Sequence, residues 1–150
     1  MNQTIIDDMP ELYAKLKPYI EYMESMGIKK DDDLSYFKPH DKSNYDYFNG
    51  WRYCREKEDK YGDYLVDLAS YTHEPKIEVY TYKIKKNKRM AKAKEKEFPY
   101  DLINENYDGV YESKIVDNLE DFKKELGKYF KNIKKLKEKE RIYEMEKDFK

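Results

Sequence analysis

Asp117-Asn-Leu-Glu-Asp-Phe-Lys-Lys-Glu-Leu-Gly-Lys-Tyr-Phe-Lys-Asn-Ile-Lys-Lys-Leu-Lys-Glu-Lys-Glu-Arg-Ile-Tyr-Glu-Met-Glu-Lys-Asp-Phe149 is the longest stretch of the chain with one unambiguous period. Leu119, Phe122, Leu126, Tyr129, Ile133 and Leu136 recur at alternating steps of three and four, which places them on one stripe of an α-helix. Asn118 is suited to cap the start. Glu120 and Asp121 bring negative charge to the first turn, where the helix dipole favours it. A helix over this whole stretch would run to about 48 Å, against about 30 Å for a small domain. The segment 137–150 is therefore expected either to break near Lys137 to Glu140 or to project as a helical end that offers Ile142, Tyr143, Met145 and Phe149 to a partner. The same seam, extended to Glu140 and Tyr143, has near-heptad spacing, so a homodimer through this helix is compatible with it. Packing on the chain's own sheet is the simpler use of Leu119 to Leu136.

Working outward, the 150 residues predict one α+β domain: an antiparallel sheet of three to five strands, with an N-terminal helix and the long C-terminal helix packed on one face. The N-terminal helix is expected over Asp7 to Met26, with Leu12, Leu16, Tyr19, Ile20 and Met23 inward. Pro18 should kink or split it. Gly27 should stop it, with Ile28 packing back on the last turn. Leu34 and Phe37 would face inward from a short helical turn in Asp31 to Pro39. Asn49-Gly50 between Tyr45–Phe48 and Trp51–Cys54 predicts a two-residue hairpin, with Phe48 opposite Trp51 and Tyr47 opposite Arg52. Tyr64 to Tyr71 fits both helix and strand, and the preceding Gly62 favours strand. Lys76 to Ile84 alternates as a strand apolar on both faces, hence inside the sheet. Lys85 to Lys88 would turn the chain, and Arg89 to Phe98 would return as an edge strand or stay irregular. Phe98-Pro99-Tyr100 begins a connector, Asp108-Gly109 makes a turn, and Val110 to Val116 is the last strand.

Charged residues make up 42% of the chain, against about 25% in typical globular proteins. Taken alone this would indicate disorder, but 16% aromatics and 17 tyrosines do not fit a disordered segment. Tyrosine buries its ring and keeps its hydroxyl wet, which suits a small core with much rim. The net charge of -1 argues against a global attraction to polyanions. One cysteine, Cys54, excludes an internal disulfide and fits a reducing compartment; it should sit as a small buried hydrophobe. The short acidic start does not resemble a signal peptide, and no apolar run is long enough to span a bilayer. A cytoplasmic protein without membrane contact is expected. Lysine far outnumbers arginine, and Tyr, Asn and Ile are common, a composition associated with AT-rich genomes such as those of low-GC bacteria and their mobile elements.

No motif carries chemistry by itself. His40 and His73 stand in loop-like contexts, Pro39-His40-Asp41 and Thr72-His73-Glu74-Pro75. No cysteine pair, HExxH or glycine-rich phosphate loop is present, and no cofactor or metal is expected. Three functions follow. The first is a non-enzymatic binding protein that masks a partner, as a phage or mobile-element inhibitor masks a host defence or nucleic-acid-handling protein. Acidic Asp31, Asp32 and Asp33 would imitate phosphate, and Tyr and Trp would supply interface anchors. The alternative is nucleic-acid binding through the basic tract Lys83 to Lys96, with Lys85, Lys86, Lys88, Arg89 and Lys92 on the phosphates. Against it, Glu95 and Glu97 dilute the charge, and arginine, the better phosphate fork, is scarce. The third is a small enzyme using His73 or His40.

Overall fold

The computed structural model describes residues 10–31, 45–56, 62–71, 74–93, 95, 97–104, 106–107 and 110–148. The fold is α+β, and the chain divides into two compact units, Met1–Tyr80 with Ser113–Lys123, and Thr81–Glu112 with Lys124–Lys150.

The first unit is built on a five-stranded antiparallel sheet in the order β1-β2-β3-β4-β9. Its strands are β1 (Lys29–Asp31), β2 (Tyr45–Tyr53), β3 (Asp63–Tyr71), β4 (Glu74–Tyr80) and β9 (Ser113–Val116). Strand β3 settles the ambiguous stretch 64–71 in favour of strand. Register places Val66 opposite Val79, and Leu68 opposite Ile77, which in turn faces Val116. These five side chains are buried. Side chains opposite one another share a face of the sheet, so they form one apolar layer. Helix α1 (Pro10–Ser25) lies against β4 and buries Leu12, Leu16, Tyr19, Ile20 and Met23, the stripe read from the sequence. Phe122 is fully buried and meets Tyr19 edge-on at 5.0 Å and Tyr22 at 6.2 Å.

Helix α1 continues through Pro18 rather than splitting there. Proline removes the hydrogen bond to the carbonyl four residues back, that of Ala14. Both Ala14 and Pro18 are exposed, so water can serve that carbonyl. The helix ends as expected. Gly27 has φ +76°, its N–H donates to the Glu24 carbonyl, and the Ile28 N–H donates to the Met23 carbonyl at 2.9 Å. This pair of bonds is a Schellman cap, and Ile28 and Met23 are both buried beside it.

The Asn49-Gly50 hairpin does not form. Both residues lie inside β2, where Gly50 pairs with Asp31 on one side and Asp67 on the other, while Trp51 faces Val66 and Arg52 faces Tyr64. A register shift between Tyr47 and Asn49 accommodates the dipeptide. Two flanking strands satisfy the backbone of β2 on both sides, and that outweighs a local turn preference. Cys54 also departs from expectation: β2 ends at Tyr53, and the thiol is exposed.

In the second unit β5 (Lys83–Lys86) pairs with β6 (Tyr100–Ile103), and β7 (Asn106–Tyr107) with β8 (Val110–Tyr111). The expected strand 76–84 is thus two strands in separate sheets, broken at Thr81 and Tyr82. Lys85 and Lys86 are strand rather than turn, and helix α2 (Lys88–Ala93) stands where an edge strand or irregular chain was expected. Asn104 holds the break in place. Its Nδ2 donates to the Thr81 carbonyl at 2.7 Å and the Glu112 carbonyl at 2.8 Å, and its Oδ1 accepts the Glu112 N–H at 2.9 Å.

Helix α3 (Leu119–Asp148) runs unbroken for 30 residues. Asn118 Oδ1 accepts the Asp121 N–H at 2.8 Å, the expected cap. In the second unit Leu126, Tyr129, Ile133 and Leu136 are buried, Tyr82 meets Tyr129 edge-on at 5.4 Å, and Asn132 Nδ2 donates to the Tyr82 carbonyl at 3.0 Å. The part of the near-heptad seam from Phe122 to Leu136 is therefore buried within the chain. Among the described residues, no helix is long and apolar enough to cross a membrane.

Candidate functional site

The charge pattern follows the two units. The first carries thirteen basic against twenty acidic side chains, net -7; the second carries eighteen against twelve, net +6. A near-neutral chain thus holds one acidic and one basic body.

In the acidic unit the described polar cluster is on the sheet. Asp67 and Glu78 stand opposite one another on β3 and β4. Tyr80 Oη donates to Asp67 Oδ2 at 2.6 Å, and Ser113 Oγ donates to Glu78 Oε2 at 2.9 Å. Arg55 pairs with Asp63 at 3.0 Å, and the Arg52 guanidinium lies 5.1 Å from the Tyr64 ring centre. These contacts offset each carboxylate with a donor, which is how a sheet tolerates facing acids. No three metal-ligating side chains converge among the described residues. Burial first, then the hydrogen bond and charge of Asp67, with a lesser effect from Glu78, push the Tyr80 phenol far above its ordinary value. Burial, with the charge of Asp117, also raises Tyr19.

An alkaline transition follows. The unfolded chain releases a tyrosine proton near pH ~10, whereas folded Tyr80 and Tyr19 hold theirs. Their contribution to stability is complete below about pH 10 and is lost as pH rises above it. Urea unfolding at pH 8, 10 and 11 should show this fall. Tyr80→Phe should flatten it, at a cost of about 1 kcal/mol at neutral pH, kept small because the site is half open to solvent. An unchanged alkaline slope in Tyr80→Phe would show that Tyr80 is not its source.

In the basic unit, Lys85, Lys86, Lys88, Arg89 and Lys92 are all exposed along β5 and α2. They are not uninterrupted. Lys85 pairs in register with Asp101, whose buried carboxylate accepts the Leu102 N–H at 2.8 Å. Lys86, Lys88 and Lys92 share a groove with Glu95, Glu97, Pro99 and Tyr143. Tyr143 is half-buried with its ring 5.5 Å from Phe98, and Lys147 binds Glu97, so this part of α3 is tied to the loop before β6.

A second shallow groove is lined by Ile84 of β5, Tyr100 of β6 and Lys134, Lys135, Glu138, Lys139 and Ile142 of α3. The strands supply part of an apolar floor, and the helix supplies residues spaced three and four apart, hence one face. The Lys139 ammonium sits 4.4 Å from the Tyr100 ring centre. Glu138 is held by Arg141, whose hydrogen bond and charge lower its pKa. Ile142 is 44% exposed and Met145 47% exposed.

Of the residues expected to bind a partner, Ile142 lies in this groove and Tyr143 in the other, while Met145 is exposed beside Arg141. Asp31 ends β1 opposite Gly50. Asp32, Asp33 and Phe149 lie outside the described residues, as do His40, His73, the 34–39 turn and Asp108-Gly109. Trp51, expected as an interface anchor, is core at 3% exposure. Ile84, Tyr100, Lys134, Lys135 and Lys139 were not foreseen. Their signal in the sequence was the lysine-rich side of α3, but nothing local indicated that it would lie along Ile84 and Tyr100.

Comparison with family models, with curated proteins and with solved structures yields no significant match.

Proposed function

We propose that this chain is a non-enzymatic binding protein that acts by masking a partner protein. The observation that supports it is the partition of charge between the two units, -7 and +6, in a chain of net charge -1. Complementary charge steers encounter and fixes register more than it sets affinity. A body of each sign suits a protein partner with patches of both signs. It suits a uniform polyanion less well, since the acidic unit would be repelled. The acidic unit, whose sequence includes Asp31 to Asp33, would take the place of phosphates on a nucleic-acid-handling enzyme. The lysine-over-arginine composition fits a phage or mobile-element inhibitor directed at a host defence or nucleic-acid-handling protein in a low-GC bacterium.

The experiment is a pull-down of the tagged chain from low-GC bacterial lysate, with and without nuclease, followed by the mass of the purified complex. The expected result is one protein retained after nuclease, at fixed stoichiometry and with its activity blocked. Recovery of nuclease-sensitive material alone would overturn masking. It would favour the basic tract instead, and affinity should then fall steeply with salt and vanish when Lys85, Lys86, Lys88 and Arg89 are changed to Glu.

A further inference from the structure

We infer that the groove between β5, β6 and α3 holds an acidic amphipathic segment of the masked partner, in which Asp or Glu alternates with aliphatic or aromatic side chains. This rests on the masking reading and assigns it a surface. Three observations support it. The floor is apolar, with Ile84, Tyr100 and the 44% exposed Ile142. The rim is cationic, with Lys134, Lys135 and Lys139, while Glu138, the carboxylate in the lining, is engaged by Arg141. The groove is open, and α3 lines it from Lys134 to Ile142 with residues of one helix face, which suits a chain segment rather than an enclosed small molecule.

The same features disfavour a nucleic acid. A base needs a free aromatic face on which to stack, and the Lys139 ammonium already lies 4.4 Å from the Tyr100 ring centre, with Phe98 5.6 Å away. Phosphates would gain nothing from Ile84 and Ile142. An acidic amphipathic segment uses both parts, burying its apolar side chains on the floor and placing its carboxylates among the lysines.

The test uses the full chain and three labelled probes. One is a peptide alternating Asp or Glu with Leu and Phe. The second has equal length and charge with Ser and Gly in place of Leu and Phe. The third is an oligothymidylate of matching charge. Fluorescence anisotropy should show the first bound and the second weaker by about ten-fold or more. Ile142→Ser, and separately Lys134→Glu with Lys135→Glu, should each weaken the first peptide by about ten-fold with circular dichroism unchanged. The lysine pair is exposed, so it keeps the test open if Ile142→Ser perturbs the fold. Equal binding of the first two peptides, binding unaffected by both variants, no binding of the first peptide, or its displacement by the oligothymidylate would each overturn the assignment. The two proposals fail separately. A nuclease-resistant partner held equally by both groove variants removes the groove and leaves masking. Groove-dependent peptide binding without any retained partner removes masking and leaves the groove.

Discussion

Phe122→Ala should destabilise the protein by about 3–5 kcal/mol, the range for a large aromatic removed from a packed core. Phe122 has no exposed surface and meets two tyrosine rings of α1, Tyr19 and Tyr22. The cost therefore combines lost apolar burial, a cavity and two edge-to-face ring contacts. The neighbours cannot easily collapse into the space, because Tyr19 is itself buried and the Lys123 ammonium sits 5.1 Å from the Tyr22 ring centre. For a chain of this length about 2–4 °C of Tm accompanies each kcal/mol, so a fall of about 10 °C is expected. The single tryptophan, Trp51, is buried in the same unit and reports its unfolding by fluorescence, while far-ultraviolet circular dichroism follows the helices. A loss below about 1 kcal/mol in urea would show that Phe122 does not fill a packed site.

Gly62→Ala is the second large effect. Gly62 has φ +65°, which costs an alanine about 1–2 kcal/mol. A methyl group there would lie 2.6 Å from the Tyr53 carbonyl oxygen, 2.9 Å from the carbonyl carbon and 3.1 Å from Cys54 Sγ. Two of these atoms are backbone at the end of β2 and cannot rotate away, so a further 1–3 kcal/mol or so of overpacking follows. The expected total is about 2–5 kcal/mol. Gly27→Ala is the matched control: φ is +76°, but no atom lies within 4 Å, so only the backbone cost of about 1–2 kcal/mol applies. Equal losses in the two variants, measured by urea unfolding, would show that the close approach of Gly62 to Tyr53 is not maintained in solution. Both glycines mark chain reversals, but only one is locked by its neighbours, and the sequence alone does not distinguish them.

The candidate surface was partly legible. Ile142 and Met145 stand out because they are apolar residues beyond the last buried position of the α3 stripe, and both are exposed. Tyr143 looked equivalent but turns to Phe98 on a different side of the helix. A helical period says which residues share a face; it does not say which face a neighbouring strand will cover. The basic tract was legible as a charge run. That Lys85 would face Asp101, and that Glu95 and Glu97 would stand among Lys86, Lys88 and Lys92, follows only from strand pairing and groove formation.

Legible in the sequence alone were the α+β class, both long helices and their buried stripes, the Asn118 cap, the Gly27 stop, and a strand beginning near Lys76. Each of these rests on interactions within a few residues: a period, a cap, a positive φ. Packing between remote segments set the features that depend on distant partners. It kept Asn49-Gly50 inside a strand, because β1 and β3 satisfy the backbone of β2 on both sides. It broke the run 76–84 at Thr81, where the Asn104 side chain takes up backbone groups that a longer strand would have paired. It also grouped 113–123 with the largely acidic residues 1–80 and left the basic tract with the lysine-rich remainder of α3, a separation of charge that already runs along the chain. Turn and strand preferences are each worth about 1 kcal/mol or less, and hydrogen bonds and apolar burial supplied by remote segments exceed that.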